Sequence, residues 1–173
     1  MSNFLFHADG QPDWARLTPF GVAFVCVGAL GTAYTAQHQF GIEPCVLCLY
    51  QRIPYAVAGV LALAAILMPR GTGRRVLLAI CIPVFLIGAG VAFYHTGVEQ
   101  HWWASAAGCG GALATISSAS DLQASLLAPP VKACDDVDWT LFGLSMTVYN
   151  TALFLGLAVA TAYGIRRMRP KGH

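Results

Sequence analysis

Residues 45–68 read CVLCLYQRIPYAVAGVLALAAILM, a Cys-x-x-Cys motif followed by an arginine and an apolar run long enough to cross a bilayer as a helix. The thiols of such a motif ionise more readily than free cysteine when a helix N-terminus and a cation lie nearby. Residues four apart lie on one helix face, so a helix that begins near Cys48 would project Arg52 from the same stripe as the Cys48 sulfur. The segment therefore indicates thiol chemistry at a membrane surface, with Arg52 as the cation.

The composition of the whole chain indicates an integral membrane protein. Of its 173 residues, 57% are hydrophobic and only 10% are charged, whereas soluble proteins carry about 25% charged residues. The length suits a single domain over residues 1–173, and the net charge of +2 is too small to suggest nucleic acid. The expected surroundings are a lipid bilayer, and no nucleic-acid partner is expected.

Four segments have the length and apolarity of membrane-spanning helices, which need roughly 20 residues each. They are residues 18–36, 48–68, 76–94 and 146–165. The predicted fold class is therefore an all-α integral membrane protein with four transmembrane helices. A short loop, residues 37–44, and a long loop, residues 96–145, join the spans on one side of the membrane.

The basic residues are distributed unevenly between the two sides of these spans. Lys132 is the only lysine or arginine in the loops 37–44 and 96–145. The other side carries Arg16, Arg70, Arg74, Arg75, Arg166, Arg167, Arg169 and Lys171. Since cytoplasmic loops are enriched in lysine and arginine, both termini are expected in the cytoplasm. In a bacterium the two loops would then face the periplasm, where disulfides persist.

The six cysteines fall into two groups by their position relative to the membrane. Cys26 and Cys81 lie in the middle of spans, where a thiol behaves as a small hydrophobic group. The outward-facing cysteines are Cys45, Cys48, Cys109 and Cys134. An even number of outward cysteines favours pairing, and purely structural disulfides remain an alternative to redox chemistry.

The polar residues near these cysteines each allow two interpretations. Arg52 is either a functional intramembrane cation or an anchor that reaches the headgroups. His95, at the outer end of the third span, is either a hydrogen-bonding group of a site or an ordinary interfacial histidine. A zinc site would use two close cysteine pairs, whereas Cys109 and Cys134 are twenty-five positions apart, so no metal is expected.

Three motifs together carry a family resemblance. Residues 44–52 read PCVLCLYQR, the close cysteine pair precedes the loop pair, and Cys134 is followed by Trp139 and by FGLSM at residues 142–146. With these features, over essentially its whole length, the chain resembles the disulfide bond formation protein B (DsbB) family of bacterial inner membranes. The resemblance implies a four-transmembrane-helix bundle with a long periplasmic loop between helices 3 and 4.

The activity that this resemblance implies is that of a quinone-dependent thiol oxidoreductase. Such a protein reoxidises a soluble periplasmic thioredoxin-fold thiol oxidase, DsbA-like, and passes the electrons to the membrane quinone pool. This route agrees with the redox state of the compartment, because a couple of DsbA, DsbB and quinone keeps the bacterial periplasm oxidising. The implied cofactor is a quinone, either ubiquinone or menaquinone.

The resemblance also implies a role for each site residue. The redox disulfides would be Cys45–Cys48 and Cys109–Cys134, with the partner's thiolate attacking at Cys109. Cys134 would then reduce the Cys45–Cys48 disulfide through Cys45, leaving Cys48 as the thiolate that faces the quinone. Arg52 would stabilise negative charge on the thiolate and on the reduced ring, and His95 and Met146 would border the ring.

Two other functions compete with this interpretation. A vitamin K epoxide reductase-like quinone reductase has a similar bundle and a Cys-x-x-Cys, but its loop cysteines precede that motif in the chain, opposite to the order seen here. A nonenzymatic membrane scaffold or small transporter subunit would use its cysteines structurally. Little intramembrane charge other than Arg52 is present, which weakens a transport function.

Overall fold

The described part of the chain forms four long helices and one short hairpin. A computed structural model describes residues 10–105, 118, 123, 132–137 and 139–168. The helices are α1 (Trp14–Gln39), α2 (Val46–Leu67), α3 (Thr72–Glu99) and α4 (Met146–Arg167). The strands β1 (Thr140–Leu141) and β2 (Leu144–Ser145) pair antiparallel just before α4.

All four helices are long and apolar enough to cross a membrane, which confirms the predicted four-span fold. Each helix carries large apolar side chains on its outer surface, such as Phe24, Val60, Ile87 and Val159. In water this surface would be costly, but a hydrocarbon layer solvates it at no such cost. The bundle therefore faces lipid over most of its side surface.

The helices begin and end a few residues away from the predicted span limits. Helix α2 begins at Val46, two residues before the predicted start at Cys48, so Cys45 is its N-cap residue. Helix α3 continues to Glu99, which makes Thr96 to Glu99 helical instead of part of the long loop. These shifts matter because they bring Cys45 and Glu99 into fixed positions at helix ends.

The bundle core is built from aromatic side chains that pack against small residues. Helix α3 lies against both α2 and α4, and α1 lies mainly against α2. The Phe154 ring is fully buried and stacks on Tyr55 with ring centroids 4.3 Å apart. A Cβ atom added at Gly88 would come within 2.7 Å of that ring. Glycine at position 88 therefore permits the close approach of α3 and α4.

The two ends of the bundle differ in chemistry. The cysteine end, defined by Cys45, Cys48 and His95, gathers the end of α1, the start of α2, the end of α3 and the start of α4. The opposite arginine end is defined by Arg16, Arg70, Arg74 and Arg75, which surround the start of α1 and the α2–α3 connection. The pair Cys45 and Cys48 therefore lies at one end, and the other end is strongly cationic.

The hairpin before α4 was not predicted from the sequence. Thr140 pairs with Ser145 and Leu141 with Leu144. Phe142 and Gly143 form the turn with φ angles of 50° and 80°, a left-handed geometry that glycine tolerates and that two-residue hairpins favour. The hairpin sets the position of Ser145, the N-cap residue of α4, and hence of Met146 at the first helical position.

Candidate functional site

The thiol pair sits at the first turn of α2. Cys45 is the N-cap residue, and its sulfur accepts a hydrogen bond from the backbone N–H of Cys48, with 3.3 Å between Sγ and N. The two sulfur atoms are 3.0 Å apart, compared with about 2.05 Å in a disulfide. Both residues are free thiols, so the disulfide expected between them is open in this structure. Cys45 is buried, whereas Cys48 is half-buried.

His95 of α3 is the ring in contact with this pair. Its Nε2 atom lies 3.6 Å from the Cys45 sulfur and 3.2 Å from the backbone oxygen of Cys134. The side chain is only 2% exposed, so its contacts are shielded from water. The sequence offered two interpretations of His95, and its role beside a quinone stays a prediction, while its contacts lie with Cys45 and Cys134.

A chain of amide and hydroxyl groups determines which nitrogen of His95 carries a proton. The Tyr55 hydroxyl donates to Asn150 Oδ1 at 2.5 Å, and Asn150 Nδ2 donates to Gln51 Oε1. Gln51 then has only its Nε2 atom left for His95 Nδ1, which lies 2.8 Å away. Since an amide N–H donates, Nδ1 accepts and the neutral ring carries its proton on Nε2. That proton points toward the Cys45 sulfur and the Cys134 carbonyl.

Glu99 completes the polar cluster near the Nε2 atom of His95. Its Oε1 atom lies 3.8 Å from His95 Nε2, and its Oε2 atom accepts a hydrogen bond of 2.6 Å from Thr147. The Thr147 hydroxyl is also within 2.8 Å of the Ser145 hydroxyl and 3.0 Å of the Thr96 hydroxyl. The carboxylate is therefore buried but hydrogen-bonded, and it can stabilise positive charge on the ring.

The surroundings of Cys45 lower the pKa of its thiol well below the usual value. The largest cause is the hydrogen bond shared with the Cys48 thiol, which outweighs the opposing effect of burial. The hydrogen bond from His95 and that from the Cys48 backbone N–H act in the same direction. When the pair is reduced, the negative charge therefore resides on Cys45, because this sulfur accepts the larger number of hydrogen bonds.

Cys134 lies in the same buried cluster as this thiol pair. It is fully buried and packs with Cys45, Leu47 and Val98. Cys134 is disulfide-bonded, whereas Cys45 and Cys48 are free. Cys109, its expected partner, lies outside the described residues. The arrangement brings a loop cysteine against Cys45, which is the contact that electron transfer between the two pairs would need.

Arg52 and Met146 both lie at the cysteine end of the bundle. Arg52 donates a 2.8 Å hydrogen bond to Gln37 Oε1, and its guanidinium carbon lies 5.0 Å over the Tyr34 ring. These contacts hold the guanidinium of Arg52 toward α1. The side chain that contacts the Cys45 sulfur is His95. Met146 is the first residue of α4 and is 48% exposed.

Four residues of the site were missed by sequence reasoning: Gln51, Glu99, Thr147 and Asn150. Glu99 could have been found, because it follows His95 by four positions on the same helix face. The contact between Gln51 and Asn150 joins residues 99 positions apart. No local sequence pattern predicts such a contact.

Three potential metal ligands converge in the described site. The sulfurs of Cys45 and Cys48 and a ring nitrogen of His95 all lie within 4.8 Å of one another. Thiolates and imidazole are ligands that zinc prefers. The prediction that the protein holds no metal counted His95 among the possible ligands and rested on the wide spacing of the loop cysteines Cys109 and Cys134. It stays a prediction.

The fold and the site define a multi-pass membrane protein with a buried thiol pair at one end of a four-helix bundle. A family model described as "Disulfide bond formation protein DsbB" matches residues 15–164. The chain belongs to the DsbB family, which confirms the resemblance of its motifs. It is thus a membrane protein of disulfide bond formation.

Several relatives support the same assignment. The chain is 30% identical over 165 residues to disulfide bond formation protein B of Xanthomonas campestris pv. campestris strain 8004, an alignment that covers 91% of this chain and 95% of the relative. It is 31% identical over 135 residues to the protein of that name from Methylobacillus flagellatus, covering 76% and 81%. It is 32% identical over 158 residues to disulfide bond formation protein B 2 of Pseudomonas savastanoi pv. phaseolicola, covering 86% of each chain.

Proposed function

We propose that this protein reoxidises a periplasmic thioredoxin-fold thiol oxidase, DsbA-like, and transfers the electrons to a membrane quinone. The observation that carries the proposal is the contact of two cysteine systems in one buried cluster. Disulfide-bonded Cys134 packs against Cys45, and His95 contacts both residues. A structural disulfide would not need two further cysteines and a buried histidine beside it, which argues against a scaffold.

The first half of the reaction moves two electrons from the partner to the loop pair. A thiolate of the partner attacks Cys109, and the Cys109–Cys134 bond breaks to release the Cys134 thiolate. The second thiol of the partner then displaces Cys109 and leaves the partner oxidised. The partner gains a disulfide and the loop pair loses one. Two electrons therefore move from the partner to the loop pair.

The second half moves the electrons from the loop pair to the Cys45–Cys48 pair. The Cys134 thiolate attacks Cys45 and releases Cys48, after which Cys109 closes the loop disulfide again. The result is a disulfide between Cys109 and Cys134 and two thiols at Cys45 and Cys48. Burial of Cys45 against Cys134 supports Cys45 as the atom attacked.

The environment of Cys48 fits a lipid-soluble electron acceptor. Cys48 is half-buried, and its α2 neighbours Leu49 and Ile53 are 45% and 56% exposed. A flat apolar ring can lie against this surface, with Arg52 and Met146 at the same end of the bundle. A quinone bound there would accept two electrons and two protons. Within the protein, the Cys45 thiolate closes the disulfide onto the Cys48 sulfur, and His95 directs its Nε2 proton toward the Cys45 sulfur.

The proposed reaction also requires a location and an orientation. The arginine end would lie in the cytoplasm, because cytoplasmic ends of spans are enriched in arginine and lysine. The cysteine end would then face the periplasm of a bacterial inner membrane, where disulfide chemistry can proceed. Both termini follow as cytoplasmic.

Replacement of Arg52 tests the quinone part of the proposal. Arg52→Met removes the charge and the hydrogen bond to Gln37 but keeps much of the apolar stem. We expect the KM for quinone to rise about tenfold, since a hydrogen bond from a charged group is worth about 1.5–3 kcal/mol. Arg52→Lys should restore only part of the affinity, because a point charge does not reproduce the planar guanidinium.

The measurement is steady-state quinone reduction over a range of quinone concentrations with a reduced thioredoxin-fold donor. Arg166→Met, in the last turn of α4 at the other end of the bundle, is the control and should leave the KM unchanged. If Arg52→Met has wild-type kinetics, Arg52 is only an interfacial anchor. If the wild-type protein reduces no quinone at all, the proposed acceptor is wrong. Metal binding by Cys45, Cys48 and His95 would then be the favoured function of these residues.

A further inference from the structure

The last turns of α1 carry three side chains that lie on one face of the helix: Tyr34, Gln37 and His38. Their positions are three and four apart, the spacing of neighbours on a helix surface. The Tyr34 and His38 rings stack, with 5° between their planes and 6.3 Å between their centroids. Gln37 and Tyr34 both contact Arg52 of α2. The α1 helix, which contributes no cysteine to the site, therefore holds the cation of α2.

Gln37 is the hydrogen-bond partner of Arg52, and it is uncharged. Its Oε1 atom accepts from Arg52 Nη1 at 2.8 Å. In the part of the chain that the structure describes, no carboxylate lies within ion-pair distance of Arg52. Arg70 at the opposite end differs, because it donates to the Asp13 carboxylate at 2.6 Å. The Arg52 guanidinium is thus oriented by a neutral acceptor, which leaves its positive charge uncompensated.

Tyr34 holds the same guanidinium without adding a charge. The guanidinium carbon of Arg52 lies 5.0 Å from the centre of the Tyr34 ring, over its face. The face of an aromatic ring attracts a cation through its quadrupole and carries no net charge. Tyr34 is 51% exposed and Arg52 is half-buried, so this pair lies at the surface of the bundle. A molecule in the surrounding lipid can therefore reach it.

A fixed and uncompensated cation is what the reduction of a quinone needs. Arg52 follows Cys48 by four positions and therefore lies on the same face of α2. As electrons arrive, negative charge develops on a ring oxygen, and an oriented cation stabilises that charge most effectively. A carboxylate partner would cancel most of the effect. An interfacial anchor, by contrast, gains nothing from a fixed orientation.

We propose that Gln37 and Tyr34 are positioning residues for quinone reduction. They hold the Arg52 guanidinium in one orientation and leave its charge available to the ring oxygen. Neither residue exchanges electrons or protons, since each acts through Arg52. This inference rests on the proposed transfer of electrons to a quinone. It adds a face of α1 to a site that α2, α3 and α4 otherwise form.

Two substitutions at position 37 separate the orientation of Arg52 from its charge. Gln37→Glu keeps an acceptor but cancels the charge, so the rate constant of quinol formation at saturating quinone should fall about tenfold. Its Tm should not fall, because the hydrogen bond from Arg52 becomes charge-assisted. Gln37→Met removes the acceptor and keeps the charge, so the ratio of rate constant to half-saturating quinone concentration should fall about fivefold.

The measurement is anaerobic single-turnover reduction of quinone by the reduced full-length protein in detergent, over a range of quinone concentrations. Gln39→Glu is the matched control, because it adds the same charge at the exposed last residue of α1 and should keep wild-type kinetics. Thiol exchange between the donor and the loop pair involves no quinone and should be unchanged in all three variants.

Wild-type kinetics in Gln37→Glu would overturn the inference, and so would an equal loss in Gln39→Glu. A Tm that falls in parallel with the rate in both Gln37 variants would give Gln37 a purely structural role and would also overturn it. These outcomes all require a wild-type protein that reduces quinone. A wild-type protein that reduces none would instead overturn the proposed function, and this inference with it.

Discussion

A Cys134→Ser variant is expected to accumulate a stable mixed disulfide between Cys109 and the thioredoxin-fold donor. The donor thiolate attacks a Cys109 that an exogenous disulfide has oxidised and releases the exogenous thiol. With a donor whose second active-site cysteine is replaced by serine, neither that thiol nor Cys134 is present to displace Cys109 again. Turnover should fall by about a hundredfold or more, because the remaining cysteines cannot take over the role of Cys134 in a reaction that needs all four. The trapped species is measured on nonreducing gels.

The control for this experiment is Cys81→Ser, which changes a buried thiol in the middle of α3. It should form no trapped species, and its turnover should resemble that of the wild type. A Cys109→Ser variant that traps the donor efficiently through Cys134 would contradict the assignment, because it would reverse the order of the two loop cysteines. The burial of Cys134 against Cys45 predicts the opposite result.

Replacement of His95 by phenylalanine is expected to raise the pKa of the Cys45 thiol. The ring nitrogen lies 3.6 Å from that sulfur and lowers its pKa, so its loss should move the pKa back toward the usual value of about 8.5. In the wild-type protein the thiolate persists as the pH falls below neutrality. In the variant the thiolate should be protonated at a higher pH than in the wild type, although the Cys48 hydrogen bond still lowers the pKa, and disulfide closure under mildly acidic conditions should slow severalfold.

The pKa is measured from the thiolate absorbance of the fully reduced protein as a function of pH. The lowered pKa of Cys45 also determines how the stability of the reduced protein changes with pH. A thiol with a lowered folded-state pKa contributes stability above its unfolded pKa and loses it as the pH falls toward the folded value, so reduced wild type should lose more stability on acidification than His95→Phe. His101→Phe, an exposed histidine beyond the end of α3, is the control. An unchanged thiolate titration in His95→Phe would show that the ring does not act on Cys45.

The four spans could be predicted from the sequence because each needs roughly 20 apolar residues and little else. The span limits were less accurate, since polar residues continue a helix when its end is supported. Helix α3 reaches Glu99 through polar Thr96, and the backbone N–H of Gln100 closes on the Thr96 oxygen at 2.9 Å. A hydropathy pattern ends where the apolar residues end, not where these hydrogen bonds end.

Without the family resemblance, which also assigned roles to Cys134 and His95, the candidate site was predicted only where its residues are close in sequence. Cys45 and Cys48 were found because they share one helical turn. The contact of Cys45 with His95 joins residues 50 positions apart and depends on how α2 packs on α3. The predicted setting of Arg52 beside Cys48 rested on helix periodicity alone, which gives no information about Gln37 and Tyr34 on the neighbouring helix α1.

Delivery of two electrons from Cys45 and Cys48 to a membrane quinone is the central step of the proposed function. It is tested most directly by an anaerobic single-turnover titration in which the reduced protein, with its loop disulfide intact, is mixed with increasing amounts of quinone. We expect two thiols, those of Cys45 and Cys48, to disappear for each quinol formed, and Cys48→Ser to form no quinol. Quinol formation with both thiols still free, or loss of the thiols without quinol, would contradict this step.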